Sequence, residues 1–281
     1  MDQASRDQAS RDQASRSEAS RNAASLAARL QTRWLGRAVE WQATCGSTND
    51  LAAERARAGA PAGLVIVADA QTAGRGRLGR SWHSPAGENL YLSILLRPAQ
   101  PPSEIPPITL LAGAAVARAL QTFGLTPRLK WPNDVELTDE TGRRRKVCGV
   151  LTEMASVGAS ALHVVVGIGI NANAVEFPPE LAERATSLRR ALGHPVDRVE
   201  LLAALLEAFE PLGEAFDRQG PAAAVAAFEA HAAFPAPCRV TGPGRPGDRL
   251  EGIALGIEPD GALRFQDQTG QIHRVISGEL S

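Results

Sequence analysis

Lysine is nearly missing from this sequence. Of 30 basic residues only Lys130 and Lys146 are lysines; the other 28 are arginine. A compact ammonium persisting in a chain that otherwise uses the planar guanidinium fork marks both positions as places where a point charge is wanted. Cysteine is also scarce. Cys45, Cys148 and Cys238 are widely separated and odd in number, which excludes a disulfide framework or a zinc-ligand spacing and fits a reducing cytoplasm. No apolar run approaches 18 residues, so no membrane span is expected, and the N-terminus lacks the apolar core of a secretion signal. Net charge is −1, with 31 acidic residues. That balance argues against DNA binding driven by phosphate neutralisation. The five histidines, at 83, 163, 194, 231 and 273, are too dispersed to form an obvious site. No Walker A, GxSxG or HExxH motif is present.

What remains, 281 residues with 44% hydrophobic and 22% charged, is a globular composition. Residues 2–16 are three exact DQASR copies followed by decayed ones. A period of five with alanine as the only apolar residue cannot offset its ordering entropy, so residues 1–25 are expected to be a disordered tail. From residue 26 the pattern becomes globular. Strands are expected over Ala38–Ala43, Gly63–Ala68 and Leu90–Leu96, around Arg128–Trp131 and Val135–Thr138, and over Val147–Met154 and Leu162–Ile170. Helices are expected over Leu51–Ala58, Leu110–Phe123, Arg198–Arg218 and Pro221–His231, with Ser47 and Asn49 as N-cap types and Gly59 and Gly124 as stops. Thr141-Gly142 reads as a hairpin tip. Past Pro235 only short strands separated by Gly-Pro turns follow, a barrel-like module of about 45 residues. The expected fold is α+β, with residues 26–235 as the larger domain and residues 236–281 as a small all-β module.

Two stretches carry chemistry. The loop Gln71–Trp82 contains Gly74-x-Gly76-x-x-Gly79, but Ser81–Pro85 follows, and no helix starts cleanly there to receive a pyrophosphate. The arginines are the better signal. Arg75, Arg77 and Arg80 alternate with glycine, have no acidic neighbour in the loop, and suit a segment that folds over an anionic ligand. Trp82 is placed to stack on a ring. The second stretch is Lys130-Trp131-Pro132-Asn133-Asp134, with Lys146 twelve positions after Asp134. A hairpin between them brings Asp134 and Lys146 together. Lysine, several arginines and an anionic ligand are the parts of phosphoryl or nucleotidyl transfer.

These stretches resemble biotin protein ligase, also called biotin–acetyl-CoA-carboxylase ligase. The matching segments are Ser47-Thr48-Asn49, Gln71–Arg77, Trp82, Lys130–Asp134, Lys146–Glu153, Gly167–Asn171 and Gly278–Ser281. The resemblance implies a class II synthetase-like biotin–lipoate ligase fold: a mixed-sheet catalytic domain with a C-terminal SH3-like β-barrel. It also implies a two-step reaction, in which biotin and ATP give biotinyl-5′-AMP and biotin then passes to a lysine of a biotin carboxyl carrier domain. Arg77, Lys146 and Asp134 are implied as catalytic. Ser47, Thr48, Asn49, Gln71, Gly74, Arg75, Arg77, Lys146 and Gly149 would bind biotin. Arg75, Arg77, Arg80, Trp82, Asn133, Lys146 and Asn171 would bind ATP, with Mg2+ bridging its phosphates through ligands the sequence does not name.

This chain departs from the family pattern in three places. Gly46 stands where an acidic residue often precedes Ser-Thr-Asn. The 135–145 hairpin is long and carries Arg143–Arg145. Only about 37 residues precede the match, too few for the winged-helix domain of the DNA-binding members, so a repressor role is not expected. A lipoate ligase or octanoyl transferase shares the fold but needs no polar partners for a ureido ring. An exposed strand of the central sheet is compatible with a homodimer.

Overall fold

The computed structural model describes residues 21–139, 141–158, 160–242 and 248–281. The DQASR copies at 2–16 lie outside the described residues. Residues 21–29 form helix α1, which corrects the tail boundary: 21–25 belong to an ordered element. Leu26, followed one turn on by Leu30, supplies the reason, since both are buried in the main core.

Seven strands form the central sheet: β1 (Val39–Cys45), β2 (Val65–Gln71), β3 (Leu90–Leu96), β4 (Arg128–Lys130), β5 (Asp134–Thr138), β6 (Arg144–Val157) and β7 (Ser160–Ile170), in spatial order β1-β2-β3-β7-β6-β5-β4. β1 and β2 are parallel and every other pairing is antiparallel, so the sheet is mixed. Alternation along each strand divides its residues between two faces. On one face Leu90, Leu92 and Ile94 of β3 and Val164, Val166, Ile168 and Ile170 of β7 join the main core. Helices α3 (Ile108–Thr122), α6 (Arg198–Gln219) and α7 (Pro221–Glu229) pack there.

The opposite face is only half covered. α2 (Thr48–Arg57) lays Ala52 and Ala56 on Ile66, Leu95 and Val165. Beyond it the same face presents Ser93, Gly149, Gly167 and Gly169, and the functional cavity lies there. α2 starts at Thr48, three residues before the expected start. Ser47 occupies the N-cap position, as expected, while the Asn49 side chain bonds to the sheet instead of to its own backbone.

Two short helices, α4 (Pro179–Ala182) and α5 (Leu188–Leu192), follow β7. The C-terminal module has β8 (Ala236–Thr241), β9 (Arg249–Ile257), β10 (Leu263–Asp267), β11 (Ile272–Val275) and β12 (Glu279–Leu280), an antiparallel sheet ordered β11-β10-β9-β8-β12. Its apolar residues Val240, Ala254, Leu263, Phe265 and Val275 belong to the same core as the larger domain. Trp131 Nε1 donates to Gly261 O across the junction (2.9 Å). The α+β architecture with an all-β C-terminal module is as expected.

Candidate active site

A cavity of about 460 Å3 opens between the glycine-faced part of the sheet, the loop after β2 and the C-terminal strand β12. Its floor explains the glycines. A Cβ on Gly169 would lie 2.4 Å from Trp82 Nε1, one on Gly149 would lie 2.9 Å from Trp82 Cζ3, and one on Gly167 would lie 2.3 Å from Asn49 Oδ1. The alternating Gly167-Ile168-Gly169-Ile170 therefore puts isoleucine into the core and leaves a bare strip on which an indole and an amide lie flat.

One end of the cavity is polar and neutral. Gln71 Oε1 accepts from Thr48 N (2.9 Å) and Thr48 Oγ1 (3.2 Å), and Gln71 Nε2 donates to Ser84 Oγ (3.1 Å). Ser84 Oγ in turn donates to Trp82 O (3.0 Å). Ser93 Oγ hydrogen-bonds Asn49 Oδ1 (2.6 Å) and Thr48 Oγ1 (2.8 Å). Ser47 is buried beside them at the α2 N-cap, and no capping bond from its side chain occurs among the described residues. Fixed donors and acceptors of this kind suit a ligand with its own amide-like groups.

The loop after β2 is a narrow hairpin. Trp82 N donates to Gly74 O (2.9 Å) and Gly76 N to Arg80 O (2.7 Å), with Leu78 at the tip in the left-handed region (φ 57°) and 72% exposed. Glycine at 74 lets the arms close, since a Cβ there would meet Ser84 Oγ and Trp82 O at 2.7 Å. The loop holds no acidic residue, as its sequence shows, but remote carboxylates pair with its arginines. Arg75 forms a bidentate pair with Asp50 (2.6 and 2.7 Å) and reaches Glu153 (3.2 Å). Arg80 pairs with Glu279 of β12 (2.8 Å). These carboxylates are remote in sequence, so the loop alone does not reveal them. Arg77 points inward and donates to Asn133 Oδ1 (3.3 Å) and Gly278 O (3.4 Å). Burial pulls its pKa down against the opposing pull of Glu279 and Asp134, as expected of a desolvated cation.

The other end is cationic. Lys146 Nζ stands 2.6 Å from Asp134 Oδ1 as an ion pair lying off the hydrogen-bond axis, and 5.3 Å from the centroid of the Trp82 ring. The expected hairpin thus does bring Asp134 and Lys146 together. Lys130 pairs with Glu136 (3.3 Å) on the same wall. Asn133 Nδ2 holds Val150 O (2.9 Å), which orients its oxygen toward Arg77. Asn171 is buried and donates to Thr186 O (3.0 Å), leaving its Oδ1 as the acceptor of that amide. Residues 184–186 pair with Lys146 through Lys146 N–Arg184 O and Thr186 N–Lys146 O. The Arg143–Arg145 run divides: Arg145 is bound to Asp139 and Ala182 O, while Arg144 lines the cavity. Ser47, Thr48, Asn49, Gln71, Arg75, Arg77, Arg80, Trp82, Asn133, Asp134, Lys146, Gly149 and Asn171 all line this one cavity, and Gly74 packs on Gln71 and Ser84 behind it. The sequence reading missed Ser84, Ser93, Asp50 and Glu279.

Residues 41–171 match the Biotin/lipoate A/B protein ligase family, and residues 237–281 match the Biotin protein ligase C terminal domain. The biotin–acetyl-CoA-carboxylase ligase of Mycobacterium tuberculosis is 32% identical over 262 residues, covering 89% of this chain and 93% of that protein. The chain belongs to the biotin protein ligase family. The bifunctional ligase/repressor BirA of Bacillus spizizenii is 34% identical over 258 residues, covering 89% of this chain and 76% of that protein. Among solved structures, the biotin protein ligase of Aquifex aeolicus in complex with biotin and ATP superposes with a TM-score of 0.71 at 31% identity, covering 87% of this chain and 98% of that one. Both matched segments of this biotin protein ligase family member contribute to the cavity, and Phe177, Leu181 and Glu183–Ala185 between them complete its wall. All the site residues expected from sequence lie within 41–171, and 237–281 supplies Thr241 and Glu279–Ser281 to the wall.

Proposed function

We propose that the protein activates biotin with ATP to biotinyl-5′-AMP and transfers the biotin to a lysine of the biotin carboxyl carrier domain of a carboxylase. The observation that carries this reading is one cavity with a fixed neutral hydrogen-bonding end, Thr48 and Gln71 with Ser84 behind them, joined to a cationic end, Arg77–Lys146. The ureido ring of biotin takes the first end, and its carboxylate reaches the second. A lipoyl or octanoyl chain would offer the polar groups of the first end no hydrogen-bonding partner of its own, at a cost in affinity.

In the first step a biotin carboxylate oxygen bonds to the α-phosphorus of ATP and the bond to pyrophosphate breaks. Arg77 and Lys146 hold the two anions together and neutralise the charge that builds between them. Arg80 exchanges Glu279 for phosphate. Trp82 and Asn171 take the adenine, by stacking and by accepting at Oδ1. Arg75, whose guanidinium is engaged by two carboxylates, supports the loop, and Arg77 makes the anion contact. In the second step the carrier lysine amine attacks the acyl carbon and AMP leaves, with Asn133 and Asp134 beside the incoming amine.

Mg2+ fits as an ion carried by the phosphates and water. Asp134 and Glu136 are each paired with a lysine, and among the described residues no group of three metal-ligating side chains exists. The place of action we propose is the cytoplasm, which suits three free cysteines. Among the described residues no helix is long and apolar enough to cross a membrane.

The test is biotin-dependent ATP–pyrophosphate exchange with magnesium. Exchange with biotin but not lipoate or octanoate is expected. Lys146→Ala and Arg77→Ala should each reduce it by about 10²-fold or more, while Lys130→Ala should have a much smaller effect. A folded protein that binds ATP and shows no exchange with biotin would overturn the reading.

A further inference from the structure

Arg75 lines the cavity, yet its guanidinium is turned away from the cationic end. Both of its terminal nitrogens are held by Asp50 in the first turn of α2, and one also reaches Glu153 on β6. Glu153 Oε2 accepts from Asn49 Nδ2 as well (2.6 Å). Four segments of chain therefore meet at one point: the hairpin, the first turn of α2, strand β6 and, through Asn49 and Ser93, strand β3. Arg75 is also the first arginine of the hairpin and pairs across it with Ser81. Whatever holds Arg75 holds the base of a segment whose Arg75–Arg77 and Arg80–Trp82 line the cavity. Two carboxylates this close would repel each other with no cation between them. Arg75 in turn holds the Asp50 carboxyl below its ordinary range.

We propose that Asp50 and Glu153 are positioning residues that clasp Arg75 and keep the Gly74–Trp82 hairpin closed over the cavity, so that they set how long biotin stays bound. This rests on the biotin reading above, but the closing of the hairpin is testable without it. The clasp is partly exposed, with side-chain accessibilities of 38% for Arg75, 62% for Asp50 and 44% for Glu153. Its contribution is therefore that of a screened, multi-point network, worth roughly 3- to 10-fold in the opening equilibrium of the hairpin.

The hairpin carries its own reporter. Trypsin cuts after Arg75, Arg77 and Arg80, and a segment closed by backbone hydrogen bonds must open before it is cut, so the cleavage rate tracks the open population. Asp50→Asn and Glu153→Gln, each made separately in the full chain, should be cut at these three bonds roughly 2- to 5-fold faster than the wild type, with an unchanged thermal midpoint. In the exchange assay the KM for biotin should rise by the same factor while kcat at saturating biotin holds. Asp50→Glu, which keeps the charge, should restore both. Cleavage at the wild-type rate in both variants overturns the clasp. Faster cleavage with an unchanged KM for biotin, or a fall in kcat alone, overturns its positioning role. Absence of biotin-dependent exchange in the wild type overturns the functional reading instead, and the proteolysis still decides whether these carboxylates hold the hairpin.

Discussion

Replacing Gly169 with alanine tests the claim that the sheet itself is the bed of the site. The added Cβ would lie 2.4 Å from Trp82 Nε1 and 2.5 Å from Cε2. An ordinary carbon contact is about 3.5 Å, so the indole must rise by about 1 Å. The ring cannot simply take up this shift, because Lys146 lies over it and Gly149 packs against its other edge. A displacement of about 1 Å in a group that positions a reacting ligand costs about 10²-fold in rate, or about 2.7 kcal/mol of transition-state stabilisation. The loss should appear mainly as a raised KM for ATP, since Trp82 is the proposed adenine contact. The thermal midpoint should stay within a few degrees, because alanine is tolerated in strand geometry and the neighbour it displaces borders a cavity. The assay is biotin-dependent exchange over a range of ATP concentrations, with circular dichroism to confirm folding. Gly113→Ala in α3 is the control: the nearest atom to its Cβ is Leu129 Cδ2 at 3.5 Å, and a helix gains up to about 1 kcal/mol from the change. A Gly169→Ala enzyme with wild-type kcat and KM for ATP would refute the reasoning.

Two further predictions concern the scaffold. Glu210 is buried in α6 and accepts from the backbone N–H groups of Arg33, Trp34 and Leu35 at 2.8–3.0 Å. Burial alone would raise its carboxyl, but these donors outweigh it and hold the pKa below the ordinary glutamate value. Glu210→Ala should cost about 3 kcal/mol by leaving three backbone donors, one of them buried, without their shared acceptor. A depressed folded-state pKa stabilises above the unfolded pKa and ceases to as pH falls through the folded one, so the gap between wild type and variant in denaturant unfolding should be full at pH 7 and narrow under strongly acid conditions. Cys148 is fully buried with its thiol pushed up by burial, while Cys45 is pushed up to about 11 by burial and then by Asp50. Iodoacetamide at pH 8 should therefore leave Cys148 unmodified until the chain unfolds and label Cys45 slowly; fast labelling of Cys148 in the native protein would contradict its placement.

How far the site was legible depended on sequence distance. Glycine alternation in Gly167–Ile170, the paired stretches around Asp134 and Lys146, and the arginine-rich hairpin are local patterns, and local patterns report local geometry. Long-range pairing is what the sequence conceals. Arg75 meets Asp50 25 residues upstream and Glu153 78 residues downstream, and Arg80 meets Glu279 199 residues away. No periodicity announces such contacts, so the hairpin read as unneutralised. The start of α2 was misplaced for a related reason. Ser47 and Asn49 are both cap types, and only the presence of Ser93 and Glu153 nearby in space commits the Asn49 side chain to the sheet and leaves Ser47 at the cap. Leu26 in α1 is one apolar residue after a polar repeat, and its burial depends on a core that the repeat does not describe.

β12 is a wall of the reaction chamber, and this bears on how the protein can be handled. Ser281 N donates to Arg239 O (2.9 Å), Arg239 N donates to Ser281 O (2.8 Å), and Ser281 lines the cavity. Polypeptide appended after Ser281 would start in the wall of this cavity. An affinity handle, fluorophore or surface tether therefore belongs ahead of α1. Placed at the other end, it would crowd the cavity that the proposed substrates fill.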